Sequence, residues 1–252
     1  MFLQYLATII SYIIKPQKRR LIKLSYGFKN KVGLEIGGPS SFFALKSYFP
    51  TYVFAKRIDG VNYSSRTVWE GEIKKGKNYN YTIGKQGFQF ICEASTLENI
   101  EIDTYDFLLS CHSLEHVANP VKALKSWYRV LKNNGKIVLV LPDKNRTFDH
   151  NRSYTTFNHL LEDFNNEIGE NDTTHFEEIY RLHDLKMDTD VNTVRELKKR
   201  TEANITNRCV HHHVYSLPVL EKLLIHCHFK IIHKQKAAPF HLVIIAEKIV
   251  SY

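Results

Sequence analysis

From Val32 the chain alternates apolar residues with small or acidic ones, VGLEI, and then breaks at Gly37-Gly38-Pro39. Comparable short runs rich in Val, Ile and Phe recur at 51–58, 88–92, 105–110 and 136–141, a pattern that predicts buried parallel strands. Between the last two, Asn119 and Pro120 open a helix over 120–132, with Val121, Leu124, Trp127, Val130 and Leu131 on one apolar stripe. Asn134-Gly135 ends that helix and turns the chain into the next strand. Strands alternating with helices predict a parallel α/β sheet covered on both faces. Residues 143–215 break the rhythm: they are polar, helical at 157–168 and 174–186, and hold seven of the thirteen histidines. A helix over 216–227 and strands at 229–234 and 241–249 follow, the two strands forming a closing antiparallel hairpin. The expected plan is seven strands in one domain over 31–252, with an insertion at 143–215.

Length, 43% hydrophobic and 24% charged residues describe an ordinary globular chain. The net charge of +9 does not spread over it: Lys15, Lys18, Arg19, Arg20, Lys23, Lys29 and Lys31 precede residue 34, where no acid stands. The rest is nearly balanced, so a nucleic-acid-binding face is not expected. The arm over 1–30 begins with fourteen mostly apolar residues, too few to span a bilayer, followed by the basic cluster. Two readings stay open for it: an interfacial helix held to anionic lipid, or a first helix packed on the domain. Scattered Cys92, Cys111, Cys209 and Cys227 form no CxxC pair, which fits a reducing, cytoplasmic setting, with the arm at the inner membrane face if it meets lipid.

In an open α/β sheet, ligands bind beyond the carboxyl ends of the strands. Gly37 and Gly38 would let backbone approach such a ligand, although the pyrophosphate fingerprint GxGxxG is absent. Asp59, at the expected end of the second strand, suits two ribose hydroxyls, and Glu93-Ala94 after the third suits an adenine edge. Together with LEIGG, YDFLLSCHSLEHVANP and YRVLKNNGKIVLVLP, these residues resemble the class I S-adenosylmethionine-dependent methyltransferases, and among them the type 11 group, over about 31–142. The resemblance implies a Rossmann-like fold and S-adenosyl-L-methionine as cofactor. It implies Glu35, Gly37 and Gly38 at the cofactor's amino-acid end, Asp59 or Asn62 on the ribose, Glu93 and Ala94 beside the adenine, and Ser110 beneath the methyl donor. The loop departs from the family's three glycines, and Asn62 can share or take the ribose role.

Methyl transfer needs alignment, plus a general base if the acceptor is a hydroxyl. His112, just after the fourth strand, and His116 are the candidate catalytic residues, against a structural reading in which they hydrogen-bond within the helix start. The insertion supplies candidate acceptor contacts: His150, Arg152, His159, His183, Arg208 and His212. Their density suits a small-molecule or sugar acceptor, and the family resemblance points to bacterial surface-glycan pathways. The plainer alternative is a hydrogen-bonded network holding a long insertion together. Two other functions compete: a cofactor-binding but inactive regulatory protein, and a metal-dependent hydrolase built on the histidines. No tight metal-ligand spacing is present, so no metal is expected. Oligomeric state is not legible.

Overall fold

Leu34 and Ile36 put their side chains into one face of a sheet, and the neighbouring strands repeat that choice. The computed structural model describes residues 18–249. It contains β1 (Val32–Ile36), β2 (Arg57–Asn62), β5 (Gly76–Thr82), β6 (Lys85–Ile91), β7 (Tyr105–Cys111), β8 (Leu131–Pro142), β9 (Phe229–Ala237) and β10 (His241–Lys248) in one sheet of order β5-β6-β2-β1-β7-β8-β10-β9. The five central strands are parallel, β9 and β10 close one edge antiparallel, and β5 pairs antiparallel with β6 at the other. The chain winds outward from β1 to β6 and then crosses back to β7, which places the topological switch between β1 and β7.

The mostly parallel α/β architecture with a closing hairpin stands as expected, with one strand more. The segment NYNYT, too polar to read as a buried strand, forms β5 by folding back on β6. A separate two-stranded ribbon, β3 (Arg66–Thr67) and β4 (Gly71–Glu72), rises between β2 and β5.

The second strand lies further along the chain than expected. Residues 51–54 form a single helical turn, α2 (Thr51–Phe54), following α1 (Arg19–Ser25), and β2 begins only at Arg57. A short run that is apolar all round reads equally as buried strand or buried helix. Here all four residues of α2 are buried, so no alternation could have decided it.

One face of the sheet is covered by α3 (Pro120–Val130) and α8 (Leu217–His226), which bring Trp127, Leu124, Leu220 and Leu223 onto Leu34, Leu108 and Leu139. The other carries Leu21 of α1 and an aromatic group of Phe28, Phe43, Phe49 and Tyr52. Each fully buried large side chain of this kind contributes about 1.5–3 kcal/mol. The Asn119 side chain accepts from the Lys122 N–H and caps α3. The helix gives way at Leu131, earlier than Asn134-Gly135, and Asn134 takes a left-handed conformation inside the start of β8.

Between β8 and α8 lie α4 (Phe157–Asn165), α5 (Phe176–Leu182), α6 (Val194–Glu202) and α7 (Asn204–Asn207), with a small core of Ile179, Val191, Leu197 and Val210. The α6 start was readable: Thr193 and Glu196 form a capping box, the T-x-x-E signature. Among the described residues no helix is long and apolar enough to cross a membrane. The apolar run of the N-terminal arm lies outside them.

Candidate active site

The Glu35 carboxylate that precedes the glycine turn faces protein, not a ligand. It is fully buried and accepts from Tyr52 Oη at 2.7 Å, Tyr79 Oη at 2.7 Å and the Ser40 N–H at 3.0 Å. Two tyrosines and a backbone amide thus tie β1 to α2, to β5 and to the loop that follows β1. Gly38 is glycine for the same reason, since a Cβ there would lie 2.3 Å from both Glu35 Cδ and Tyr79 Oη. Gly37 has φ +70°, and a Cβ would meet Ser113 Oγ at 2.4 Å. The expectation that Glu35 and Gly38 touch the cofactor is therefore corrected: they shape the turn, and Gly37 with Pro39 faces the cavity.

Burial raises the Glu35 carboxyl to about 7 against the lowering effect of its hydrogen bonds. An unfolded glutamate releases its proton near 4.5, so this residue's stabilisation is fully present below that pH and is lost as pH rises through about 7. The shift corresponds to roughly 3 kcal/mol. Burial raises Glu115 to about 7 as well, so its contribution runs the same way. Urea unfolding at pH 5 and pH 8 is expected to show a decline that Glu35→Gln roughly halves; superimposable declines in variant and wild type would refute this.

A cavity of about 360 Å³ opens where β1, β2, β6 and β7 end. Gly37, Asn62, Glu93, Ala94, His112 and His116 line it, as does Arg208, with Tyr63, Trp69, Glu70, Ser113 and Glu170 joining them. Its size falls within the ordinary range for small-molecule sites, about 300–1,000 Å³. Asn62 ends β2 and donates to the Gly38 carbonyl at 3.3 Å, so β2 and the turn are latched together. Ser113 Oγ donates to the Ile36 carbonyl at 3.0 Å from the opposite side.

Asp59 is not there. It sits mid-strand opposite Leu34, buried, and accepts from the Phe88 N–H at 2.8 Å and Tyr105 Oη at 2.9 Å, with Arg57 beside it. β2 continues three residues beyond Asp59, which carries the strand end to Asn62. Ser110 is also corrected: it is buried within β7, and the following residues Cys111, His112 and Ser113 reach the cavity.

A second cavity of about 660 Å³ adjoins the first and shares Trp69, His112 and His116 with it. Glu115, Arg146, Thr147, Thr189 and His211 also line it. His112 Nε2 is 3.0 Å from His241 Nδ1, and burial with the neighbouring histidines pushes His112 down to about 3. His116 Nδ1 lies 3.1 Å from the Val210 carbonyl, which can only accept, so the proton is on Nδ1 and Nε2 carries the lone pair. Burial holds its pKa well below the ordinary histidine value.

His211 is the residue that sequence reasoning passed over for His212. Its Nδ1 is 2.5 Å from Asp149 Oδ2, which leaves Nε2 to act. Burial opposes charge on this ring, yet the Asp149 and Glu115 carboxylates raise its pKa. One ligand atom each from Glu115, His116 and His211 lies within 4.8 Å of the others, a spacing that would also admit a metal ion. No sequence signal separated the three consecutive histidines, whose partners come from far along the chain.

Of the six expected acceptor contacts, only Arg208 lines the first cavity, and two carboxylates already hold it: Glu93 at 2.6 Å and Glu170 at 2.8 Å. The other five are corrected to framework. Arg152 is a buried strut between Asp149 and Glu178. His150 pairs with Asp184 at 2.8 Å and His183 with Asp188 at 2.8 Å. His212 meets the Asn204 side chain, and His159 faces His175. Polar groups buried in an insertion with a small core need partners within it, and Arg152, His150 and His183 find them in carboxylates.

The β1–β7 switch point, the glycine turn and the cavity at the strand ends are those of a Rossmann-like methyltransferase fold. Residues 34–139 match the type 11 family model, a methyltransferase domain. The fold is also that of solved S-adenosylmethionine-dependent methyltransferases. One from Methanosarcina mazei is 18% identical, with TM-score 0.52 over 91% of this chain and 98% of that one. Another, from Mesorhizobium loti, is 14% identical, with TM-score 0.51 over 92% and 96%. One from Aquifex aeolicus is 11% identical, with TM-score 0.50 over 92% and 89%. No curated protein matches the sequence.

Proposed function

We propose that the chain methylates a hydroxyl of a small, polar acceptor of the carbohydrate class, bound in the second cavity, with His211 as general base. The observation that carries this reading is the junction of the two cavities at Trp69, His112 and His116. A donor held in the first cavity and an acceptor in the second would meet there. The half-exposed Trp69 ring offers a flat apolar surface to a sugar face, while Arg146, Thr147 and Thr189 offer hydrogen bonds.

Gly37, Asn62, Glu93 and Ala94 hold the cofactor in this reading, with residues 143–215 as the acceptor side of a domain over 31–252. S-adenosylmethionine supplies an electrophilic methyl on a sulfonium. The chain's part is to align the acceptor oxygen, keep water out and take its proton. His211 Nε2 takes that proton, and Asp149 on Nδ1 fixes the ring's tautomer and stabilises the imidazolium. His112 is mismatched to this task, since a base whose conjugate acid titrates near 3 draws a hydroxyl proton weakly. A reducing, cytoplasmic setting agrees with four unpaired cysteines.

Calorimetric titration with S-adenosylhomocysteine tests the cofactor residues. Asn62→Ala is expected to weaken binding about tenfold, one hydrogen-bond's worth, while Asp59→Asn leaves it unchanged. The reverse pattern would return the ribose role to Asp59. Transfer of labelled methyl to monosaccharides and nucleotide sugars, set beside amine and thiol acceptors, tests the acceptor class; label on the amines or thiols alone would rule it out.

A further inference from the structure

A second group of histidines lies outside both cavities, where α4, the start of α5 and the segment before α8 converge on the N-terminal end of α3. His159 and Asp163 stand one helical turn apart on α4, His175 precedes α5, and His213 comes from the extended segment. One nitrogen from each of the three imidazoles lies within 4.8 Å of one from each of the others. Their ring centroids form a nearly equilateral triangle, 5.1 Å for His159–His175, 5.6 Å for His175–His213 and 5.8 Å for His159–His213. The rings cross at 83°, 78° and 67°, so they converge on a point and do not stack.

The closest approaches match a tetrahedron. His159 Nε2 is 3.3 Å from His175 Nε2 and 3.5 Å from Asp163 Oδ2. Ligand atoms about 2.0–2.1 Å from a central zinc stand roughly 3.3 Å apart. Hydrogen bonding within the group does not account for it. His213 is 1% exposed, and its Nε2 donates to the Ala118 carbonyl at 3.1 Å, as the outer nitrogen of a metal-bound imidazole does. That leaves His213 Nδ1, and likewise Asp163 Oδ2, buried with no hydrogen-bond partner among the described residues. Groups of this kind are costly unless something completes them.

We propose that His159, His175 and His213 form a structural zinc site, with Asp163 beside it, that fastens the 143–215 insertion to the core domain. Three imidazoles supply three of four tetrahedral positions, Asp163 stands 3.5 Å from His159 Nε2, and the group lies outside both cavities, which separates it from the catalytic site. Entry is from the side of His159, whose ring is about one-third exposed. The ligands come from three stretches separated by other structure, so only the folded insertion can assemble them, and binding should stabilise that fold. The proposal does not depend on the methyltransferase reading.

The untagged full chain, expressed with added zinc, is expected to hold one zinc per molecule by elemental analysis. Cobalt in its place should give the visible absorption of a tetrahedral site. A His159→Ala/His175→Ala variant should bind zinc at least roughly 100-fold more weakly. Chelation should lower the melting temperature of the wild type and not of the variant, while a wild-type circular dichroism spectrum and a cooperative melt show that the variant still folds. Zinc that persists in the variant and is lost from His116→Ala would place the metal at Glu115, His116 and His211 and overturn the proposal. So would wild-type protein with no bound zinc, or with a melting temperature indifferent to chelation.

Discussion

Arg152→Ala is expected to destabilise the protein by about 3–5 kcal/mol, the cost of removing one partner from a buried ionic pair. The Arg152 side chain is 1% exposed and has no solvent to fall back on. Its Nη1 donates to Asp149 Oδ1 at 3.0 Å and to the His211 carbonyl at 2.8 Å. Nε and Nη2 donate to Glu178 Oε2 at 3.1 and 3.0 Å, and Nη2 also reaches the His212 carbonyl at 3.3 Å. Taking the guanidinium away leaves buried Asp149 with His211 alone and frees the His211 and His212 carbonyls. Arg152→Lys should recover only part of the loss, because an ammonium cannot reproduce a planar fork bonded along three directions. Arg57→Ala serves as the comparison: the Arg57 side chain is half-exposed, and Asp59 keeps its bonds from Phe88 and Tyr105, so the cost should stay below about 1 kcal/mol. Urea unfolding followed by tryptophan fluorescence measures all three, and a loss under 1 kcal/mol for Arg152→Ala would show that the strut carries little.

Arg152 also marks where sequence reading stops. An arginine in DHNR, within a polar stretch full of histidines, looks like an anion contact because arginines usually keep their charge near water. Burial comes from residues 178, 211 and 212 closing over it, and nothing local announces that. The strands were a different matter. β1 was legible residue for residue, and β7 nearly so, because apolar runs between turn residues answer to a local rule. β2 was misplaced: the run 51–58 was expected as the strand, whereas the strand runs Arg57–Asn62 with Gly60 inside it. The missing side chain of Gly60 is replaced by the Tyr79 ring, 2.3 Å from where a Cβ would stand. Tyr79 belongs to β5, the strand that was not foreseen, so one omission led to the other. The Glu35 clamp was hidden in the same way, since both tyrosines that bind it come from segments whose placement was unknown.

His211→Ala is expected to lower kcat by about 10²–10⁴, the usual contribution of a positioned general base. Affinity for S-adenosylhomocysteine should not change, because His211 lines the second cavity and not the first. Asp149→Asn keeps the shape but removes the charge that stabilises the imidazolium, so its kcat should fall as well, with the cofactor still bound. His112→Ala should cost much less in rate, since His112 Nε2 is turned to His241 and its ring stays neutral. His116→Ala separates the remaining choice. His116 lines both cavities, so a catalytic His116 would lose as much as His211, whereas a wall residue would chiefly raise the acceptor KM. Single-turnover rates with saturating cofactor read the chemical step directly. If His211→Ala keeps more than about a tenth of the wild-type rate, the proton leaves by another route and His211 is not the base.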